Sequence, residues 1–260
     1  MNFNSIQFAI NEGVAKITLN RPDVLNSFNK EMATELQDAL DHCAENKLIR
    51  CVVLTAAGRG FCAGQDLAEA VGENAPDIGY IVRTQYNPII RKIRHLEKPV
   101  LCAVNGVAAG AGANLAFACD ITFAIESAKF IQSFANIGLI PDSGGTFTLP
   151  RLVGMQRASA LMMLGDKVMA KEAQEMGMIY QAVADDKLME ITMATANKLA
   201  KMPTKGIGLT KKALNHSLAN NLDQQLDKEE ELQIIAGKSY DFNEGVQAFL
   251  EKRKPVFKGE

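Results

Sequence analysis

Two glycine- and alanine-rich stretches, Gly58 to Leu67 (GRGFCAGQDL) and Asn105 to Asn114 (NGVAAGAGAN), each follow an apolar run of strand length. Side chains this small let a ligand approach the backbone. A turn that enters a helix also leaves N–H groups unsatisfied at the positive end of the helix dipole. Two such donors converging on one point would form an oxyanion hole able to stabilise an enolate. The glycines could equally do no more than permit tight packing of strand on helix, and spacing alone leaves both readings open. The third feature is Ile137 to Gly145 (IGLIPDSGG), which sets a lone carboxylate, Asp142, on a rigid turn among apolar residues. An Asp so placed is a helix cap or Asx turn, or, if it faces an apolar pocket, a proton shuttle whose pKa is raised by desolvation.

Other chemistries find less support. His42, His95 and His216 are scattered, with no H-E-x-x-H and no Cys/His cluster, so no metal site is expected. Ser143 lacks the first glycine of a G-x-S-x-G elbow and reads as a turn residue. The glycines at 58, 60 and 64 have the wrong spacing for a dinucleotide fold and no Lys-Ser/Thr follows, which moves NAD, FAD and ATP down the list. No cofactor is expected. With 28 Lys+Arg against 30 Asp+Glu the net charge is −2, a balance unlike that of proteins that bind nucleic acid or anionic membranes. The cysteines at 43, 51, 62, 102 and 119 are widely spaced and read as reduced thiols in a cytoplasmic protein, and the N-terminus lacks the pattern of a secretory signal. Val100 to Ile125 is mostly apolar and contains a G-x-x-x-G spacing. Asn105, Asn114, Asp120 and its glycines interrupt it, so a buried strand, turn and helix are expected rather than a membrane span.

The elements that must position these residues are legible as periodicities. Ile6 to Ile10 and Val14 to Leu19 flank Asn11-Glu12-Gly13 as a hairpin. Asn29 can cap a helix through Met32, Leu36, Leu40 and Cys43. Cys51 to Thr55, Val100 to Val104 and Ile121 to Ala124 read as buried, largely parallel strands. Residues 72–79 read as a flexible polar connector before a helix that Pro88 kinks or restarts. Strands alternating with helices give an α/β unit over residues 1–186. From Lys187 a helical region, 187–260, is expected, with helices over 188–199, 207–218, 222–235 and 245–252 separated by Pro203, Asn220-Asn221 and Ser239. Within it, Lys201 to Lys212 reads as an exposed basic face.

Taken together, GFCAGQD at 60–66, VNGVAAGAG at 104–112, GLIPDSGG at 138–145 and FLEKR at 249–253 resemble the enoyl-CoA hydratase/isomerase (crotonase) superfamily, nearly end to end and in that family's order. The resemblance implies a spiral ββα core, a helical C-terminal trimerisation region in a homotrimer or dimer of trimers, and an acyl-CoA thioester as ligand, coenzyme A being part of the substrate. It places the oxyanion donors on the backbone N–H groups of Gln65 and Ala111. Around the substrate it places Leu25, Ala63, Asp66, Leu67, Gly110, Asn114 and Phe134, with Phe249 and Lys252 of a neighbouring subunit at the nucleotide end of CoA. A solvated Lys and a core-facing Phe are the alternative for that last pair. Family hydratases use two glutamates, and Asn114 and Phe134 occupy those positions here, so a hydratase is not expected. Asn114 either orients substrate or caps a helix. Asp142 matches the functional aspartate of some family members, which leaves a one-carboxylate isomerase. The branch most resembled isomerises ring-epoxide CoA thioesters to oxepins in bacterial phenylacetate breakdown and moves enoyl-CoA double bonds from position 3 to 2. A general fatty-acid 3,2-enoyl-CoA isomerase and a non-catalytic acyl-CoA scaffold are the rival readings.

Overall fold

The computed structural model describes residues 3–71 and 75–260. Its hairpin joins Ile6–Asn11 (β1) to Val14–Leu19 (β2) through Glu12 and Gly13, both at positive φ (46° and 80°). That two-residue geometry matches the twist of the strands it joins. Lys30–Glu45 (α1) starts at Asn29, whose side chain accepts the Met32 N–H, and buries Met32, Leu36, Leu40 and Cys43. Cys51–Ala56 (β3) is buried throughout and is followed by Gly60–Cys62 (β4) and Leu67–Ala70 (α2). Of the connector expected over 72–79, residues 72–74 lie outside the described residues. Ile78 and Gly79 already belong to Ile78–Ile81 (α3), because the Asp77 side chain caps it through the Tyr80 N–H. Five residues, Val82–Tyr86, then wind as a wide π-turn into Asn87–His95 (α4), with Pro88 in its first turn. Pro therefore restarts the helix, at the position where its missing N–H is harmless.

Val100–Val104 (β5) and Val107–Ala109 (β6) lead into Ala111–Ala118 (α5). Ile121–Ile125 (β7) and Lys129–Ile131 (β8) are followed by Gly145–Val153 (α6) and Met155–Leu164 (α7). Next come Lys167–Met169 (β9), Ala170–Glu175 (α8) and Gln181–Val183 (β10), and then the helices Leu188–Ala200 (α9), Thr204–Ser217 (α10), Leu222–Ala236 (α11) and Tyr240–Leu250 (α12). Among the described residues the strands form a six-stranded sheet, β1-β2-β3-β5-β7-β10, parallel beyond the first hairpin, and a four-stranded sheet, β4-β6-β8-β9. Three successive turns of the chain, β3-β4-α2, β5-β6-α5 and β7-β8-α6, each lay one long strand in the first sheet, one short strand in the second, and then a helix. This is a spiral of ββα units. The second sheet was not visible in the sequence, since its strands are three residues long and too short to show a period.

The long strands are apolar on both faces because both faces are covered. Val52, Leu54, Cys102 and Val104 join the main core with Leu36, Ile93 and Leu115. Cys51, Val53, Leu101 and Ala103 face Leu188, Ala196 and Ala200 of α9. By this packing α9 covers one face of the six-stranded sheet. The stretch 100–125 is strand, turn, helix and strand as expected, and among the described residues no helix is long and apolar enough to cross a membrane. All five cysteines are buried and unpaired.

Two expectations for the helical region fail. The last helix runs from Tyr240 to Leu250 rather than over 245–252, because Ser239, read as a separator, is its N-cap and accepts the Phe242 N–H at 3.0 Å. The basic run 201–212 is not wholly a solvated face. Lys211 is only 6% exposed, and its ammonium donates to Asp120 Oδ2 at 2.7 Å and to the carbonyls of Ile93 (2.7 Å) and Lys98 (3.3 Å). Burial lowers its pKa while Asp120 pulls the other way.

Candidate active site

The parallel strands β3 and β5 end at the same edge of the six-stranded sheet, so both glycine-rich bends emerge side by side, and β4 pairs with β6 in parallel to hold them there. Small residues are required at the contact. A Cβ on Gly64 (φ +94°) would lie 3.2 Å from the Ala109 carbonyl and 3.7 Å from the Ala111 nitrogen, and one on Gly112 would lie 2.3 Å from the Cys62 carbonyl. The glycines therefore do permit tight packing, and that packing holds the two bends against each other. Phe28 N–H donates to the Gly64 carbonyl (2.7 Å) and Asp66 N–H to the Phe28 carbonyl (2.8 Å), which turns the N–H of Gln65 to the other side of its strand. Gly110, at φ 54° and ψ −124°, donates to Ile131 and sets Ala111 as the first residue of α5. Among the described residues neither Gln65 N–H nor Ala111 N–H finds a protein acceptor. Both are oriented donors of the kind that stabilise a developing oxyanion.

The first bend is braced by its side chains. Tyr86 hydroxyl donates to Gln65 Oε1 at 2.7 Å, and the Tyr86 ring meets Phe28 edge to face. Burial, and after it the nearby carboxylates of Asp142, Glu69 and Asp66, holds the Tyr86 hydroxyl well above its ordinary pKa, so it remains a donor. Asp66 pairs with Arg21 at 2.8 Å and accepts the Ala68 N–H as the cap of α2, so its carboxylate is already engaged. Leu67 is exposed. Leu25, in the left-handed region, accepts the Ala63 N–H at 3.0 Å and packs its side chain over Gly60. Burial pushes the Cys62 thiol up to about 12, which leaves it protonated.

Asp142 precedes a turn formed by Ser143 and Gly144, both at positive φ (51° and 72°), which aims the chain into α6. The cap reading of Asp142 does not hold, since α6 begins behind Gly144 with no side-chain cap. Its carboxylate takes a hydrogen bond from the Ser143 hydroxyl at 2.9 Å. Burial raises its pKa, and the Ser143 bond and its own N–H only partly offset that rise. Its carbonyl accepts two bonds, from Gly145 N–H and from Asn114 Nδ2, both at 2.8 Å. Asn114 lies inside α5 and is 1% exposed, so the helix-cap reading fails there too. Phe134 is 6% exposed, its ring packed beside Gly110. Two backbone N–H groups without a protein acceptor and one desolvated carboxylate thus lie on neighbouring segments, Ala111 and the Asp142 turn being linked through Asn114 of α5, and donors and a base so placed are of the type able to acidify a carbon next to a carbonyl and relocate its proton.

Phe249 and Lys252 are not brought to the bends within this chain. Phe249 is 82% exposed at the end of α12, where it lines an apolar cavity with Phe242, Val246 and Phe257, so a core-facing Phe249 is excluded. Sequence reasoning missed Tyr86 and Gln132. Tyr86 is turned inward by the π-turn before Pro88, and Gln132 stands alone after a three-residue strand; neither carries a pattern. No group of three or more His, Cys, Asp or Glu is placed to hold a metal ion among the described residues.

The family model for enoyl-CoA hydratase/isomerase matches residues 9–260. A relative from Escherichia coli (strain K12), 1,2-epoxyphenylacetyl-CoA isomerase, is 51% identical over 96% of this chain and 97% of its own length. A probable enoyl-CoA hydratase from Rhodobacter capsulatus is 47% identical over all of both chains. The crystal structure of enoyl-CoA hydratase from Bacillus anthracis superposes with a TM-score of 0.95 at 35% identity, covering 99% of this chain and 100% of that one. With the ββα spiral and the paired bends already in place, these likenesses span the whole architecture, and the chain belongs to the enoyl-CoA hydratase/isomerase family as one of its enzymes.

Proposed function

We propose that the protein is an acyl-CoA isomerase of the kind that its 51%-identical relative names, converting ring-1,2-epoxyphenylacetyl-CoA to its oxepin and moving the double bond of 3-enoyl-CoAs to position 2. The observation that carries the reading is the desolvated carboxylate of Asp142, a residue whose main-chain carbonyl is hydrogen-bonded to the helix that begins with the Ala111 donor. The N–H groups of Gln65 and Ala111 polarise the thioester carbonyl and acidify the α-carbon. Asp142 takes the α-proton and returns it further along the conjugated system. For an aliphatic 3-enoyl-CoA the product is the conjugated 2-enoyl-CoA; for the ring epoxide, opening to the oxepin tautomer and the same proton shift give the ring-expanded ester. No atom is gained or lost, so no external cofactor is needed.

The exposed apolar residues of the last two helices, among them Ile234, Phe242 and Leu250, support a homotrimer or dimer of trimers in which a neighbour's Phe249 and Lys252 meet the nucleotide end of CoA. Leu25, Ala63, Leu67, Gly110 and Phe134 would border the thioester. Five buried thiols fit a cytoplasmic setting. Lys252→Glu is expected to raise KM about tenfold with kcat changed by less than about twofold, the signature of lost uniform binding to an anionic group. Unchanged KM would remove Lys252 from the site.

The deciding experiment compares the ring epoxide with 3-enoyl-CoAs of increasing chain length. Turnover of the ring epoxide together with a short 3-enoyl-CoA supports the proposal. A preference for long aliphatic chains with no epoxide turnover would replace it with a fatty-acid isomerase, and tight binding of both esters without turnover would make the protein a scaffold.

A further inference from the structure

We infer that Asn114 and Gln132 form a positioning pair that fixes the base Asp142 against the oxyanion donors, a role that rests on the function proposed above. Gln132 Nε2 donates to Asn114 Oδ1 at 2.8 Å, and Asn114 Nδ2 donates to the Asp142 carbonyl at 2.8 Å. Both side chains are buried, at 4% and 1% exposure. The directions of these bonds are fixed by chemistry. A carbonyl accepts only, so the side chain at 114 must donate to Asp142, which turns its oxygen toward Gln132 and requires a donor there.

The pair couples three segments. Asn114 stands three residues after Ala111 in α5, so one helical turn carries both the oxyanion donor and the brace of the base. Gln132 follows Ile131, whose carbonyl accepts the Gly110 N–H and so fixes the entry to the same helix. Gly145, which closes the Asp142 turn at 2.8 Å, leaves no room for a side chain over Asn114, since a Cβ there would lie 2.3 Å from Nδ2. The turn itself holds Ser143 at φ 51°, a conformation that needs support from its surroundings. Asn114 is thus a positioning residue: the amide that could have faced a ligand is engaged within the protein, and it sets where the carboxylate sits.

The test is a double-mutant cycle on a short 3-enoyl-CoA. Asn114→Leu keeps the volume and removes the donor. It is expected to lower kcat about 10- to 10²-fold, the scale of loss from about an ångström of misplacement, with KM changed by less than about threefold. In an Asp142→Asn background the same substitution is expected to change kcat by less than about twofold, because there is no base left to misplace. Gln132→Met, which leaves Asn114 in place and frees its amide to rotate, should show the same dependence on Asp142 at smaller size and stands in if Asn114→Leu does not fold. Equal losses in both backgrounds, or a melting-temperature loss with kcat unchanged, would overturn the brace and leave the proposed reaction intact. Wild-type kcat in Asp142→Asn alone would overturn the base assignment, and the brace with it.

Discussion

Asp142→Asn is expected to lower kcat on a 3-enoyl-CoA by about 10²- to 10⁴-fold, the usual contribution of a positioned acid-base group. KM should stay close to wild type, since Asn keeps the shape and still accepts from the Ser143 hydroxyl. Run in deuterated water, the wild type should conjugate the substrate and exchange label at the shuttled position, and the variant should do neither at a comparable rate. Near-normal turnover in the variant would refute the assignment. The pH axis gives a second readout with a definite sign. Because burial raises the Asp142 pKa, wild-type kcat/KM should fall on acidification through a value above the ordinary aspartate range. Stability moves the opposite way. Below the ordinary range the acid is protonated in both folded and unfolded chains and contributes nothing, whereas above the raised pKa the fold holds a charge that water solvates better. The variant should therefore melt higher than wild type at neutral pH, and the gap should close as the pH falls.

Lys211→Met is expected to cost about 3–5 kcal/mol of unfolding free energy, the range for removing one partner of a buried ion pair. Lys211 joins α10 to the core through Asp120 and the Ile93 and Lys98 carbonyls, and the apolar replacement leaves those oxygens without their donor. Asp120 retains Arg94 at 3.2 Å and the Val100 N–H at 2.8 Å, so the strand end should hold while the last helices loosen. Guanidinium denaturation measures the loss, and protease cutting within 201–250 should rise with it. A change below about 1 kcal/mol would show that solvent reaches this pair.

The sequence made the long elements legible because their signals are local. An Asn before an apolar helical period is both a start signal and the cap observed at Asn29, and a continuous apolar run such as Cys51 to Thr55 foretells a strand covered on both faces. The glycine bends were legible as small-residue clusters, yet what the smallness achieves, with Gly64 against Ala109 and Gly112 against Cys62, is a contact between segments far apart in the chain. The same limit hid Tyr86, Gln132 and the burial of Lys211. Each is defined by a partner elsewhere in the sequence, and a lone polar residue carries no period that announces its partner. Asp142 was visible as a carboxylate among apolar residues, but its burial and the failure of the cap reading needed the turn at Ser143 and Gly144.

On the proposed reading, half of the catalytic machinery is made of main chain, and this has a genetic consequence. Substitution changes side chains and leaves the N–H of every residue but proline in place. A saturation mutagenesis screen selecting for growth on the enzyme's substrate should thus find Asp142 intolerant by its own chemistry, whereas any intolerance at Gln65 and Ala111 should follow the packing of their side chains, one bonded to the Tyr86 hydroxyl and the other buried, and not the donors they supply. The intolerance belonging to those donors should map instead onto Gly64, Gly110 and Gly112, residues that hold the donors by lacking a Cβ, Gly112 through its close contact and Gly64 and Gly110 also through their positive φ.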